Sequence, residues 1–581
     1  MISTSLLCLI LCFPTPVAAP RPQLEGTVSN SAATYALVRM GREDSRVADT
    51  LRELTELHPR RLTASKGLAR AFDWAALEFE ELGLEPRLEA WGSFPAGFER
   101  GPWWGRVVYP DARPLEFITH SWTKGTRGSK RGLAVLEPEA ELLPESLEAL
   151  VSGKWVVLRG ERPSGRQRRA FLAACEEFGA LGVISRGPDN GLLVTGGSED
   201  FDPEQLNRPC RITLLHDQHI ELEAQVAGGG RTLLEFDIDN HFTPGPVTNY
   251  NLVCDLVGSE FPDQFVIVQA HLDGWDGAEG AQDNGTGVST TLEVARMLVA
   301  LETPPRRTIR FVLYSGEEQG LFGSEGYVRD HADELERISI VLNHDQGANY
   351  LRGITATEAM HPTFEAVFAP VFDLDPERPF SIELVDGISG GASDHAPFVQ
   401  AGVPAFHWKQ EWDGYTYVHH TQHDSFDEIE LDDLRHSVLV IAIAAHGFAE
   451  LDGLVSRREM RAPEPRRMGV FLSGTELTGV SPDSRASAAG WQKGDVVLSI
   501  DGKAVKTRRE LTRLLQEGGP RKVVVLQRGE ERIETELDYS DDPDEGRRRQ
   551  RRERLDALRA ERKAAAEAES ESPDADPATD R

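Results

Sequence analysis

The sequence predicts an α/β protein built on a mixed, doubly wound sheet, with a β-rich insertion and a separate β-rich C-terminal module. Three observations carry that prediction. Near-continuous β-branched and aromatic runs at 265–269, 309–314 and 338–342 have the composition of strands covered on both faces. Between the first two, Val288, Leu292, Ala295, Leu298 and Leu301 recur at helical spacing, which predicts an amphipathic crossover helix. The Pro-rich, charged joint Arg461-Ala462-Pro463-Glu464-Pro465-Arg466-Arg467 then interrupts the alternation, and short apolar runs resume behind it.

In chain order, residues 1–20 come first. An apolar run from Leu6 to Phe13, too short to cross a bilayer, precedes the small residues Val17, Ala18 and Ala19. This pattern predicts a secretory signal peptide, and with it export to a periplasm or the extracellular space. The stretch from about Ser45 to Trp91 is helical in pattern, with Ala69, Phe72, Ala75, Ala76, Phe79 and Leu82 on one face. Residues 45–119 are therefore expected to cover the sheet. From 120 to 240, short strands such as Trp155-Val156-Val157-Leu158 and Val183-Ile184 alternate with Gly-rich turns and one helix around Phe171 to Phe178. Residues 245–455 form the sheet domain, 456–465 the joint and 466–540 the small module. The tail, 541–581, is charge-dense: 547–566 has the pattern of a solvated helix and 567–581 the composition of a disordered segment.

At 581 residues the chain exceeds a single hydrophobic core. Its 63 basic and 95 acidic residues leave a net charge of -32, which argues against nucleic acid or an anionic membrane as the main partner. Beyond the first 20 residues no stretch reaches the length of a membrane span. Cys175, Cys210 and Cys254 remain after the signal segment. An odd count excludes a fully paired framework, so buried free thiols are expected over a Cys175–Cys210 bridge.

The chemistry is concentrated in five short segments: His271-Leu272-Asp273, Asp283-Asn284-Gly285, Glu317-Glu318, Asn343-His344-Asp345 and His420-Thr421. Each is expected in or just after a strand of the sheet, where open α/β sheets place their sites. Singly, each has a plain structural explanation: an ion pair, a helix N-cap, an exposed Glu pair, a capped loop, a surface histidine cluster. Together they supply the carboxylates and imidazoles that hold a pair of zinc-like ions, with one carboxylate left over to handle protons. His271 and Asp273 fall on one side of the strand, so Asp273 is expected to accept a hydrogen bond from the ring nitrogen that does not face metal. Asp283 sits in a Gly-rich turn as a candidate bridging carboxylate. Glu317 and Glu318 diverge, so one can bind metal while the other moves a proton.

These segments, with Glu317-Glu318-Gln319-Gly320, Ser393-Asp394-His395 and Pro59-Arg60-Arg61-Leu62-Thr63, resemble the M28 family of dinuclear zinc aminopeptidases and carboxypeptidases, its carboxypeptidase Q branch above all. The resemblance covers about Ser45 to Leu451 and implies the zinc-exopeptidase (phosphorylase/hydrolase-like) fold with two Zn2+ per subunit. It implies that Asp283 bridges the ions, that His271 and Asp345 complete one, and that Glu318 and His420 complete the other. Glu317 would be the general base toward a metal-bridging water, Asp273 a supporting catalytic residue, and His419 an oxyanion donor with Tyr415 and Tyr417 as competitors. Ser393, Asp394 and His395 would lie behind the ligands or in the substrate pocket. The expected activity is an exopeptidase acting on peptide termini, aminopeptidase or carboxypeptidase and dipeptidase.

Two flanking resemblances complete the expectation. Residues 120–240 are similar to a protease-associated domain, through Gly153-Lys154-Trp155-Val156-Val157-Leu158, which would restrict substrate size. Residues 466–540 resemble a PDZ domain, through Gly490-Trp491-Gln492-Lys493-Gly494-Asp495 and Asp501-Gly502, with 468–472 as the edge for an extended peptide or protein ligand. Two other functions compete: a peptide-binding scaffold over a silent core, and acyl transfer of the glutaminyl-cyclase kind with one zinc. Retention of Glu317 and of every ligand weighs against the scaffold.

Overall fold

The computed structural model describes residues 32–139, 143–160, 165–196, 210–412, 414–461, 465–549 and 553. The signal segment, most of the expected tail and part of the joint lie outside these. The described residues up to Ile354, with Pro362–Ile382 and Ala392–Val455, form one compact unit; those from Ser456 on, with Thr355–His361 and Glu383–Gly391, form a second.

A 12-stranded sheet runs through the first unit. At one end Ala405–His407, Ile338–Asn343, Phe261–His271 and Arg307–Tyr314 lie side by side and parallel. The strands Arg307–Tyr314 and Ile338–Asn343 are buried at every position, as their near-continuous apolar runs lead one to expect. Each of the three predicted strands is present and longer than its apolar run, and the first ends on His271 itself.

The helix Thr286–Val299 follows the predicted crossover but is not one-sided. It is buried almost all round, because it lies between the strand Phe261–His271 and the helices Val47–Leu57 and Leu431–Ala449. Its buried hydroxyls donate back along the chain, Thr286 to Gln282 O, Ser289 to Thr286 O and Thr291 to Gly287 O. Buried Glu293 accepts from Arg46 N and from Arg296. Polar side chains that pair within the helix pass as an exposed face when only the sequence is read.

The helical pattern expected to Trp91 stops at Glu81. That helix starts at Lys66, where Ser65 Oγ accepts from Leu68 N at 3.0 Å, and Gly83 at φ 80° turns the chain away. The 23-residue strand Arg87–Tyr109 follows and pairs antiparallel along the 24-residue strand Leu233–Leu256. One end of this ribbon joins the sheet domain, through Leu252–Leu256 beside Arg307–Tyr314. The other end joins the insertion, through Leu233–Phe236 beside Lys130–Leu136. Register shifts between Ala90 and Gly92, Phe94 and Ala96, Arg100 and Trp103, and Val107 and Tyr109 break the two-residue alternation, which is why the ribbon is not legible as a strand.

Within the insertion, Lys130–Leu136, Trp155–Val157, Gly182–Arg186 and Cys210–Leu214 run parallel, with Phe117–Thr119 antiparallel at the edge. Parallel neighbours need crossovers, and the described residues of the segment include three helices, Pro144–Val151, Gly165–Glu177 and His216–Ala227, where one was expected. Trp155, Val157, Ile184, Ile212 and Phe236 form its core. Cys175, Cys210 and Cys254 are free and buried.

The second unit holds a six-stranded sheet in the order Val470–Ser473, Glu476–Val480, Val496–Ile500, Arg521–Arg528, Glu531–Asp538, with Lys503–Ala504 beside the middle strand. The helix Arg508–Gln516, started by a Thr507–Glu510 capping box, packs Leu511, Leu514 and Leu515 into its core. Buried Arg466 donates to Leu515 O, Glu517 O and the Glu545 carboxylate, so the start of the charged tail is tied down. Among the described residues no helix is long and apolar enough to cross a membrane.

Candidate active site

The parallel strands bring the candidate residues to one edge of the sheet. His271 Nδ1 bonds to the Asp273 carbonyl at 3.0 Å, which aims Nε2 outward to lie 3.0 Å from Asp345 Oδ1 and 3.3 Å from Asp283 Oδ1. The expected partner of Nδ1 was the Asp273 carboxylate. That carboxylate stands 3.8 Å away and is committed elsewhere. It accepts from Thr63 Oγ1 at 3.0 Å and from the backbone N–H of Glu317 and Glu318, both at 3.4 Å, while Thr63 Oγ1 accepts from Gly316 N. Asp273 thus anchors the turn that carries both glutamates, and its backbone sets the His271 tautomer.

Asp283 lies between the two histidines. Its Oδ1 faces His271, and its Oδ2 is 3.0 Å from His420 Nε2 and 3.7 Å from His419 Nε2. The turn that presents it is held from several sides. Gln282 N and Asp283 N donate to the Asp424 carboxylate at 2.5 and 3.3 Å. Asn284 Nδ2 donates to His344 O, and Asn284 Oδ1 accepts from Gly287 N, each at 2.9 Å. Glu318 Oε2 is 2.8 Å from His420 Nε2. His420 follows the four-residue helix Tyr415–Val418 rather than a strand, with a left-handed φ of 55°.

Behind Asp345 runs a buried relay that the sequence reading did not find. Tyr314 Oη donates to Gln269 Oε1 at 2.8 Å, Gln269 Nε2 to Asn343 Oδ1 at 3.0 Å, Asn343 Nδ2 to Ser393 Oγ at 2.8 Å, and Ser393 Oγ to Asp345 Oδ2. Each bond fixes the donor sense of the next, so Asp345 receives a proton donor on Oδ2 and turns Oδ1 toward His271.

The electrostatics are those of a site with too many carboxylates. Burial and Asp283 push Glu318 up to about 7, and burial pushes Asp394 up to about 7. Burial and Asp283 raise Asp424 to about 8, and burial lifts Glu317 well above the usual range. Against the pull of burial, Glu318 and Asp283 hold His420 up at about 11, and Asp345 and Glu317 hold His271 well above its ordinary value. Buried carboxylates that crowd one another call for positive charge, and imidazole with carboxylate is the donor set of zinc-like ions. Among the described residues, two groups have ligand atoms within 4.8 Å of one another: His271, Asp283 and Asp345, and Asp283, His419 and His420. The residues present fit a divalent metal.

His419 stacks on His420 with ring centroids 3.8 Å apart and is 46% exposed, open to a substrate. Tyr415 is buried 5.1 Å from the His419 ring, whereas Tyr417 stacks on His423 at 4.2 Å.

Residues 251–445 match peptidase family M28, and residues 476–528 match the PDZ domain. Carboxypeptidase Q of Xenopus laevis is 28% identical over 404 residues, 66% of this chain and 82% of that protein. Aminopeptidase YwaD of Bacillus subtilis (strain 168) is 34% identical over 194 residues, 32% of this chain and 41% of that one. The crystal structure of a peptidase M28 precursor from Shewanella amazonensis shares the fold, with a TM-score of 0.55 at 24% identity over 73% of this chain and 97% of that one. The matched segment contains the parallel strands and every candidate ligand, and the chain is a metallopeptidase with a segment similar to peptidase family M28 at 251–445 and a PDZ domain at 476–528.

Proposed function

We propose that the protein is an exported two-zinc exopeptidase that removes residues from peptide ends. The observation that carries this reading is Asp283, whose two oxygens face His271 on one side and His420 on the other. Asp283 would bridge two ions, with His271 and Asp345 completing one set and Glu318 and His420 the other. Zinc bound there would lower the pKa of an attacking water and stabilise negative charge on the scissile carbonyl oxygen.

The chain's own groups handle the proton and the geometry. Glu317, with Oε2 4.0 Å from His271 Nε2, is the carboxylate left outside the ligand set. It takes a proton from the attacking water and passes it to the leaving amine. Asp273 keeps Glu317 in place through the backbone of the turn, and His419 is available to donate to the substrate's carbonyl oxygen. Similarity to a carboxypeptidase and to an aminopeptidase supports action at chain ends. The export reading rests on residues 1–20. The insertion would limit substrate size. The PDZ domain would take an extended peptide along the edge strand Val470–Ser473, where Phe471 is exposed.

The test is release of free amino acid from unblocked dipeptides and from N-blocked peptides, by wild type and Glu317→Gln, with metal counted in both. Two metals in each protein and cleavage by wild type alone is the expected result, and the blocked peptide reports which terminus is read. Two metals with no cleavage of any peptide sinks the peptidase mechanism.

A further inference from the structure

Among the described residues, the insertion meets the candidate centre at the His420 loop. Its stretch 191–196 runs along the His420 loop, with Val194 and Thr421 forming an isolated antiparallel bridge. Thr195 N–H donates to His420 O at 2.8 Å, and Leu193 N–H donates to Gln422 Oε1 at 2.7 Å. Gln422 Nε2 returns a bond to Gly191 O at 3.2 Å, so one side chain grips this stretch at two points. At Gly196 the approach is so close that a Cβ would stand 2.9 Å from His420 Nδ1 and 2.9 Å from Trp275 Nε1.

His420 needs such support. Its φ of 55° is one that residues with a side chain rarely adopt, and such a conformation persists only where the surroundings over-determine it. The His419 ring covers one face of its imidazole, Trp275 lies edge-on at 6.2 Å, and the Gly196 backbone closes the space behind Nδ1. What remains open is Nε2, toward Glu318 and Asp283.

We infer that the insertion is a positioning element for His420: Gln422 and Gly196 hold the imidazole in line with Asp283 and Glu318, so the insertion sets how tightly the ion on that side is held. This rests on the two-zinc reading above. It makes Gln422 and Gly196 positioning residues, and it gives the insertion a part in assembling the centre besides any limit on substrate size.

The experiment uses the full chain as wild type, Gln422→Ala, Gln422→Glu and Gly196→Ala, each titrated with a zinc chelator while retained zinc per chain and thermal melting are followed. Groups that orient metal ligands typically contribute 10–100-fold in metal affinity. Gln422→Ala and Gly196→Ala should each release one of two ions with affinity weakened by about that factor and leave the other unchanged. Gln422→Glu, which keeps an acceptor for Leu193 N–H, should fall between wild type and Gln422→Ala. If Gly196→Ala does not fold, Gln422→Ala decides alone, because that side chain is partly exposed and its loss leaves no buried gap. Both ions held as in wild type, or both weakened equally, overturns the inference and leaves the two-zinc reading standing. A wild type that fails to bind two ions sinks that reading, and the inference with it.

Discussion

Arg61 Nε donates to the backbone carbonyl of Leu272 at 2.8 Å, inside the segment that joins His271 to Asp273. The same guanidinium reaches Glu279 O at 2.9 Å and Gly280 O at 2.6 Å, just ahead of the turn that presents Asp283. One buried side chain therefore ties together the backbones of two candidate ligand segments. Burial lowers its pKa to about 10, with Asp424 and Asp273 opposing that shift, so it also supplies positive charge beneath the carboxylates.

Arg61→Lys is expected to be far from conservative. An ammonium lacks the rigid fork of donors that reaches the Leu272, Glu279 and Gly280 carbonyls, and each buried carbonyl left unpaired costs about 1–3 kcal/mol. The variant should lose roughly 2–4 kcal/mol of stability in denaturant melts and bind metal more weakly. An unchanged melting midpoint would show the clamp to be incidental.

Asp283→Asn and Asp345→Asn should separate the two proposed metal positions. Asp283 faces both histidines, so its amide variant is expected to lose both ions together. Asp345 stands beside His271, so its variant should lose one and keep one. Counting zinc per chain after dialysis decides, and an Asp283→Asn protein with one tightly held ion contradicts the bridging role.

Asp273→Asn tests the anchor of the glutamate turn. The amide replaces an acceptor with a donor on one side and leaves one of the Glu317 and Glu318 N–H groups without its partner. Displacing a catalytic group by about 1 Å costs on the order of 10²-fold. The prediction is a fall in kcat of about that size with two ions still bound, read by steady-state kinetics with metal analysis. Full activity in this variant would falsify the anchoring role.

A pH-dependent stability is expected from His219 in the insertion. Burial, with Arg186 alongside, lowers its pKa to about 4, and Arg186 Nε donates to its Nδ1, which must therefore be bare. The folded value lies below the ordinary 6.5, so the unfolded chain takes up the proton first as pH falls. The insertion should be fully stable above pH 6.5 and lose roughly 3 kcal/mol as pH drops from 6.5 toward 4. Melts of wild type and His219→Phe across that range should show this slope in wild type only.

In the second unit, Glu545→Ala should leave the buried Arg466 guanidinium without its carboxylate. Breaking a buried pair in this way typically costs 3–5 kcal/mol. Hydrogen exchange at Val524 and Leu526 in the full chain should speed up accordingly. Unchanged exchange there would mean the tail is only laid against the domain.

The candidate ligands were legible because a metal restricts its donors to few residue types, and each candidate sits in a short motif. His271, Asp283, Glu317, Glu318, Asp345 and His420 were all picked out as candidates that way, and the parallel strands that carry three of the segments announced themselves by near-continuous apolar runs. Arg61 was visible only as part of a resemblance, since nothing in a local pattern separates a buried arginine from a surface one. The relay from Tyr314 through Gln269, Asn343 and Ser393 draws on four separate segments and has no local signature. The Asp273 role was misread because alternation says which side of a strand a group faces, not which oxygen reaches a ring nitrogen.

By itself the sequence determined the α/β alternation and the inventory of candidate ligands, because these depend on neighbours within a few residues. Tertiary structure decided the distances: His271 and Asp345 are 74 residues apart in the chain and 3.0 Å apart in space. Only the register of parallel strands sets that separation. It also decided the long bulged ribbon, the all-round burial of Thr286–Val299 and the grip of 191–196 on the His420 loop. Each of these arises where one segment's preference is overruled by what packs against it, and no segment carries that information alone.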